Sequence, residues 1–245
     1  MEGKYLITKK QSDDLYTSLK LLHNVFVEMG ITYFLAFGTL LGAVRHQGII
    51  PHDDDGDLCI FKKDVGKLRK LIPYFDKLDY TLSEGNEKED DDDKMPACLK
   101  RRNSCTWYFS SNGKHAIGID IFIMYAHPKT KKITYYDPYW ETASTGGGKT
   151  CYFTEEQLFP LLPYRFGNFF MYGPHNAIEH LNRCYGPDWN SKGQVLYDHR
   201  QGKFVNTKKK NLKPQDFLTL RPPKHLCDIT VPDVVCAQKH FFKAK

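Results

Sequence analysis

The stretch PHDDDGDL at residues 51–58 places four aspartates, Asp53, Asp54, Asp55 and Asp57, in five positions. Two carboxylates about 5 Å apart repel by roughly 3 kcal/mol at an effective dielectric near 20. A folded chain therefore tolerates this run only where water or a cation takes up the charge. GIIP (48–51) leads into it and LCIFKK (58–63), a buried-strand pattern, follows directly. In an extended segment alternate residues share a face, so Asp53, Asp55 and Asp57 are expected to point one way and Asp54 the other. Carboxylate oxygens so arranged suit magnesium or manganese, with phosphate oxygens completing the shell.

The surrounding pattern is α/β. Leu15, Leu19, Leu22, Val25, Phe26 and Met29 recur at helical spacing, with Ser-Asp-Asp at 12–14 as a start signal and Gly30 as a stop. ITYFLAFG (31–38) reads as a buried strand and GTLLGAVRH (38–46) as a short helix. After the aspartates come the strand at 58–63 and a helix over 64–75. ACLKRR, TWYFSS and AIGIDIFIMY (116–125) then read as sheet, followed by a KTKKITYYD hairpin, a strand pair over 163–172 and a helix over 174–184. The order implies a mixed sheet flanked by helices. EGNEKEDDDDK (84–94) has no apolar strand framing it and reads as an exposed loop. Residues past 190 are polar and punctuated by proline.

With 245 residues, 41% of them apolar and 14% aromatic, the chain has enough material for a sizeable core. The formal net charge of +6 makes an anionic ligand plausible, although the lysines at 208–210 read first as a solvated face. No window reaches 18 apolar residues, and the first residues hold no signal-like stretch, so a soluble, cytoplasmic chain without a membrane span is expected. A lumenal piece of a longer protein has the same appearance. Seven cysteines without CxxC spacing argue for reduced thiols. Cys98 with Cys105, or His180 with Cys184, offer only two zinc ligands each, too few for a tetrahedral site. ASTGGGKT (143–150) imitates a phosphate-binding loop, but no buried strand precedes it and no apolar-striped helix follows.

Asp120, between Ile119 and Ile121 in the most apolar strand, is costly unless paired with an arginine or bound to metal. Gly38-Thr39, where a strand meets a helix start, either lets phosphate approach backbone amides or is a plain helix cap. A strand, Gly-Thr, a short helix, Asp-x-Asp and a later lone aspartate together form the layout of nucleotidyltransferase-fold enzymes.

The likeness is closer than fold level. FGTLLGAVRHQGIIPHDDDGDL (37–58) resembles the signature of the LicD family, GIDIF (118–122) resembles its second motif, and FPLLPYRFGNFFMYGPHNAIEHLNRCYGPDW (159–189) its third. His52 stands where the family usually has tryptophan and Gly56 where a bulkier residue is common, which leaves the acceptor's identity open. The resemblance implies an α/β (α+β) nucleotidyltransferase-fold catalytic domain over 1–190. Residues 191–245 would be a C-terminal extension packed on it.

It further implies a metal-dependent phosphotransferase that moves a phosphorylated alcohol, such as phosphocholine or ribitol phosphate, from a CDP-activated donor to a sugar hydroxyl of a glycan. Asp55 and Asp57 would be the principal ligands of Mg²⁺ or Mn²⁺, Asp120 the third ligand or the general base, and Asp53 a further ligand or alternative base. Gly38 and Thr39 would meet phosphate. Arg45 would clamp an anion or pair with an aspartate, and Lys100, Arg101 and Arg102 would meet the diphosphate or form solvated surface. Tyr185 and Trp189 are expected to close the core. Two other readings stay open: a nucleotidyltransferase acting on nucleic acid or a small phosphorylated acceptor, and an inactive nucleotide-binding relative. Nucleic acid is not the expected partner.

Overall fold

The computed structural model describes residues 6–84, 106–112, 117–136, 152–195, 197–198, 203–205, 207–218, 220, 222–224 and 226. ACLKRR with Cys98, Lys100, Arg101 and Arg102, together with Cys105, most of the acidic run at 84–94 and the glycine-rich stretch at 143–150, lie outside them.

Helix α1 (Lys9–Glu28) buries Leu15, Leu19, Leu22, Val25 and Phe26 along one face, as their spacing predicts. It starts earlier than the Ser-Asp-Asp signal suggests. Thr8 accepts from the Gln11 amide at 3.2 Å, and the Gln11 side chain accepts from the Thr8 amide at 2.9 Å. This capping box satisfies two end donors at once, which leaves Ser12 buried inside the helix. Gly30, at φ +60°, ends the helix as expected.

Strand β1 (Tyr33–Leu35) is followed at once by helix α2 (Phe37–Arg45). Strand β2 (Gly56–Phe61), helix α3 (Val65–Asp76) and strands β3 (Tyr80–Glu84), β4 (Thr106–Ser111), β5 (Ile119–Ala126), β6 (Ile133–Tyr135) and β7 (Tyr152–Phe153) come next. A short helix α4 (Glu155–Leu158), the hairpin β8 (Leu162–Phe166) and β9 (Phe169–Gly173), and helix α5 (Ala177–Tyr185) complete the main elements.

The main sheet runs β1-β2-β5-β4-β3, with β6 paired to the far half of β5 and β7 beyond it. Only β2 and β5 are parallel among these pairs; the rest are antiparallel. Both faces of β2 and β5 are covered, which is why their sequences are continuously apolar and not alternating. Leu58, Ile60, Ile119, Ile121 and Ile123 meet α1 and α3 in the larger core. Cys59, Phe122 and Met124 face Phe34, Phe153, Leu158 and Cys184 on the other side. Each such large side chain removed from water contributes about 1.5–3 kcal/mol.

His180 of α5 lies in this second layer, its ring stacked 3.9 Å from that of Phe153. Its Nε2 is 3.5 Å from the Cys184 thiol, and no third metal ligand joins the pair among the described residues. Cys59 and Cys184 are buried and not joined in a disulfide. Burial and then the charge of Arg183 push His180 down to about 3, while the Tyr152 carbonyl pulls the other way. The unfolded chain takes up this proton as pH falls through about 6.5, and the folded chain resists until about 3. His180 therefore supports the fold fully above pH 6.5 and progressively less below it. The loss is at most about 1.4 kcal/mol per pH unit. His180→Phe, which keeps the stack, should flatten the stability curve across that window; urea titrations at stepped pH would read the change in slope. Equal slopes in the two proteins would disprove the assignment.

Candidate functional site

β2 and β5 start side by side at one end of the sheet, and their parallel register sets Asp57 directly against Asp120. The Gly56 amide donates to the Gly118 carbonyl at 3.0 Å and locks the two starts together. Asp55 precedes β2 by one residue. Ligand oxygens of Asp55, Asp57 and Asp120 all lie within 4.8 Å of one another. This oxygen-only set fits a hard divalent cation. Asp57 is 6% exposed. Burial, and then the charges of Asp55, Asp53 and Asp120, push its carboxyl well above the usual carboxylate range, against the pull of a bond from the Gly38 amide.

The β1–α2 junction holds Asp57 by three bonds. The Ala36 amide donates to its carbonyl at 3.1 Å, its own amide donates to Thr39 Oγ1 at 2.8 Å, and the Gly38 amide donates to its Oδ2 at 3.1 Å. The chain makes this possible by turning sharply at Phe37, at φ +35°, a region a bulky residue rarely enters. The turn ends the strand at Leu35, short of the expected 31–38. The Phe37 ring is braced by Tyr135, stacked at 5.5 Å, and by the edge of Phe122 at 5.0 Å. Gly38 and Thr39 thus position the carboxylate, and Thr39 is buried.

Asp53 reaches the site by a different route from the simple alternation. A turn at Pro51–His52, closed by the Asp53 amide donating to the Ile50 carbonyl at 2.9 Å, precedes the extended segment. A Cβ on Gly38 would stand 2.3 Å from Asp53 Oδ2, so the absence of a side chain at 38 lets this carboxylate lie against the first turn of α2. Asp53 and Asp54 are not members of the three-carboxylate group.

Arg45 takes a third course beside the two left open by its sequence. Its guanidinium donates to the carbonyls of Trp189 at 2.7 Å and Lys192 at 3.2 Å, and its Nε donates to His46 Nδ1 at 3.3 Å. It ties α2 to the chain after α5, where Trp189 is buried and donates to Asn182 at 2.8 Å. Burial lowers Arg45 to about 10, which leaves it charged at neutral pH. His46 meets the Asp216 carbonyl at 2.9 Å and stacks on Phe217. His52 is partly buried beside Arg45 and His46 and, like His46, is held neutral, with both pushed down to about 4 mainly by burial. Gly56 faces α1, where a Cβ would stand 3.1 Å from Leu15 Cδ1. Lys100 and Arg102 lie outside the described residues.

The sequence model of the family described as LicD/FKTN/FKRP, nucleotidyltransferase domain, matches residues 30–176, well over half of the chain. The chain belongs to the LicD family. An uncharacterised protein of Rickettsia prowazekii is 34% identical over 201 residues, which is 80% of this chain and 62% of that one. Another from Rickettsia typhi is 33% identical over 198 residues, 80% of this chain and 53% of its own length. This LicD chain thus spans somewhat over half the length of the rickettsial relatives it matches. Mouse ribitol-5-phosphate transferase FKTN is 25% identical over 186 residues, 75% of this chain and 34% of that protein. Human ribitol 5-phosphate transferase FKRP is 52% identical over a shorter span of 42 residues, 17% of this chain and 8% of that protein.

One residue beside the LicD carboxylates was not anticipated. Tyr108 of β4 pairs across the strands with Asp120, and its ring lies over Gly118. The available signal was the position between the apolar residues Trp107 and Phe109, together with the glycine at 118 just before the apolar strand that carries Asp120. Burial, and then the charges of Asp120 and Asp55, raise its phenol, which keeps the O–H a donor; a bond from Ser110 acts in the opposite direction. Among the described residues no helix is long and apolar enough to cross a membrane.

Proposed function

We propose that this protein transfers a phosphorylated alcohol from a CDP-activated donor to a hydroxyl of a glycan, using Mg²⁺ or Mn²⁺ held by Asp55, Asp57 and Asp120. The observation that carries the reading is the group of three carboxylates within 4.8 Å, drawn from two parallel neighbours, an oxygen-only set that suits a hard divalent cation. Membership of the LicD family and similarity to two proteins named as ribitol-phosphate transferases support the reaction class. A bound divalent cation would neutralise the diphosphate and the departing CMP.

In the reaction the acceptor oxygen forms a bond to the phosphorus that carries the alcohol, and the bond from that phosphorus to the CMP oxygen breaks. Asp53, against Gly38 and outside the three-carboxylate group, takes the proton from the attacking hydroxyl. Gly38 and Thr39 keep Asp57 aimed at the cation, and Arg45 holds the wall of the site to the segment after α5. Lys100 and Arg102 are assigned to the donor's phosphates by their order in the chain. Residues 1–190 form the catalytic unit, and 191–245 an extension that reaches it through contacts such as that of His46 with Asp216.

A thermal-shift screen of CDP-choline, CDP-ribitol and CDP-glycerol, with and without magnesium or manganese, tests the reading. A matching donor at 100 times its dissociation constant adds about 2.7 kcal/mol, or roughly 5–10 °C for a chain of this size. The shift should need the cation. A screen in which no cytidine diphosphate donor moves the melting temperature would sink the proposal.

A further inference from the structure

Given the proposed role of the carboxylates as a cation and diphosphate site, we infer that Tyr108 touches the substrate, its phenol O–H donating to a phosphate oxygen of the donor. β4 and β5 are antiparallel, and Tyr108 stands directly opposite Asp120, so both side chains leave the sheet on the same face. The ring then runs along β5 over Gly118. A Cβ at 118 would stand 2.1 Å from the ring's Cε2 and 2.5 Å from the phenol oxygen. A side chain there would evict the ring, and the GIDIF motif supplies glycine two residues before Asp120. Tyr108 remains 40% exposed beside a cluster whose Asp57 is buried, so it stands where a ligand would arrive.

Among the described residues, the donors expected to meet phosphate are engaged elsewhere. The Gly38 amide donates to Asp57, and Thr39 is buried with its oxygen accepting from the Asp57 amide. Arg45 is committed to the carbonyls of Trp189 and Lys192. Tyr108 supplies a hydrogen bond at the edge of the cluster without adding a further negative charge, as another carboxylate would.

Calorimetric titrations of pyrophosphate and of CDP into the manganese-loaded wild-type protein and Tyr108→Phe test the inference, with manganese affinity and melting temperature measured for both proteins. Phenylalanine keeps the ring on Gly118, so melting temperature and manganese affinity should match wild type. Both phosphate ligands should bind roughly 10- to 100-fold more weakly, the loss expected for a hydrogen bond to a charged acceptor. Wild-type affinity for both ligands in Tyr108→Phe overturns the inference and leaves the proposed function standing. Tyr108-dependent binding of pyrophosphate with no binding of CDP upholds the inference and overturns the cytidine donor. A variant that loses manganese in the same proportion as phosphate also overturns it, since the ring would then act on the carboxylates. So does a wild-type protein that binds neither ligand.

Discussion

Asp57→Asn is expected to produce a protein at least as stable as wild type without metal, with its stabilisation by manganese lost and its transfer activity reduced by about 10²- to 10³-fold or more. Asp57 is buried among Asp53, Asp55 and Asp120, and its carboxylate is the most desolvated of the group. Asparagine keeps an oxygen for the Gly38 amide and leaves untouched the two backbone bonds that fix the start of β2. What it removes is a carboxyl whose ionised form each neighbouring charge about 5 Å away disfavours by roughly 3 kcal/mol at an effective dielectric near 20. A net gain of even 1 kcal/mol in the metal-free state would raise the melting temperature by about 2–4 °C. The same change deletes a proposed ligand, one whose Oδ2 accepts from the Gly38 amide. Melting curves in EDTA and in manganese, beside a transfer assay, separate the two effects. A variant that melts like wild type in both conditions would show that Asp57 does not bind the cation.

The two glycines of GTLLGA should respond to alanine in opposite ways. In Gly42→Ala the new Cβ would stand 2.5 Å from the Gly48 carbonyl oxygen and 3.3 Å from Ile50 Cγ1. That carbonyl is backbone in a segment held by the Gly48 amide donating to the Gly42 carbonyl and by the Gly167 amide donating to the Gln47 carbonyl. It has little room to retreat. Overpacking of this kind costs about 1–3 kcal/mol, and the better helix propensity of alanine offsets about 1 kcal/mol. With a backbone carbonyl unable to retreat, the upper half of that cost applies, so the net loss is about 1–2 kcal/mol and the melting temperature should fall by roughly 2–8 °C. In Gly38→Ala the close contact is with the Asp53 carboxylate, a side chain that can swing away. The fold should survive, and activity should fall because the proposed base is displaced. Equal melting temperatures for Gly42→Ala and wild type would contradict the first half. Full activity in Gly38→Ala would contradict the second.

Much of the fold could be read from local pattern. The stripe of α1, the stop at Gly30, the strand after the aspartates and the hairpin over 163–172 follow from residue spacing, because helical and extended chains repeat with fixed periods. Ends were less legible. The Thr8–Gln11 capping box outcompetes the Ser-Asp-Asp signal. Strand β1 stops early because Phe37 must turn Gly38 toward Asp57, a demand made by a residue nineteen positions later. The role of Arg45 was hidden for a similar reason, since its acceptors at Trp189 and Lys192 are far along the chain.

For the site, the amino-acid sequence by itself determined the carboxylates and the family. Like charges packed into 53–57, and a lone aspartate in an apolar strand, are local facts that carry their own electrostatic cost. Only the tertiary structure decided how they meet. The parallel register of β2 and β5 sets Asp57 against Asp120, and the antiparallel register of β4 adds Tyr108 on the same face. Strand register is fixed by which faces the whole core buries, so no short stretch of residues encodes it.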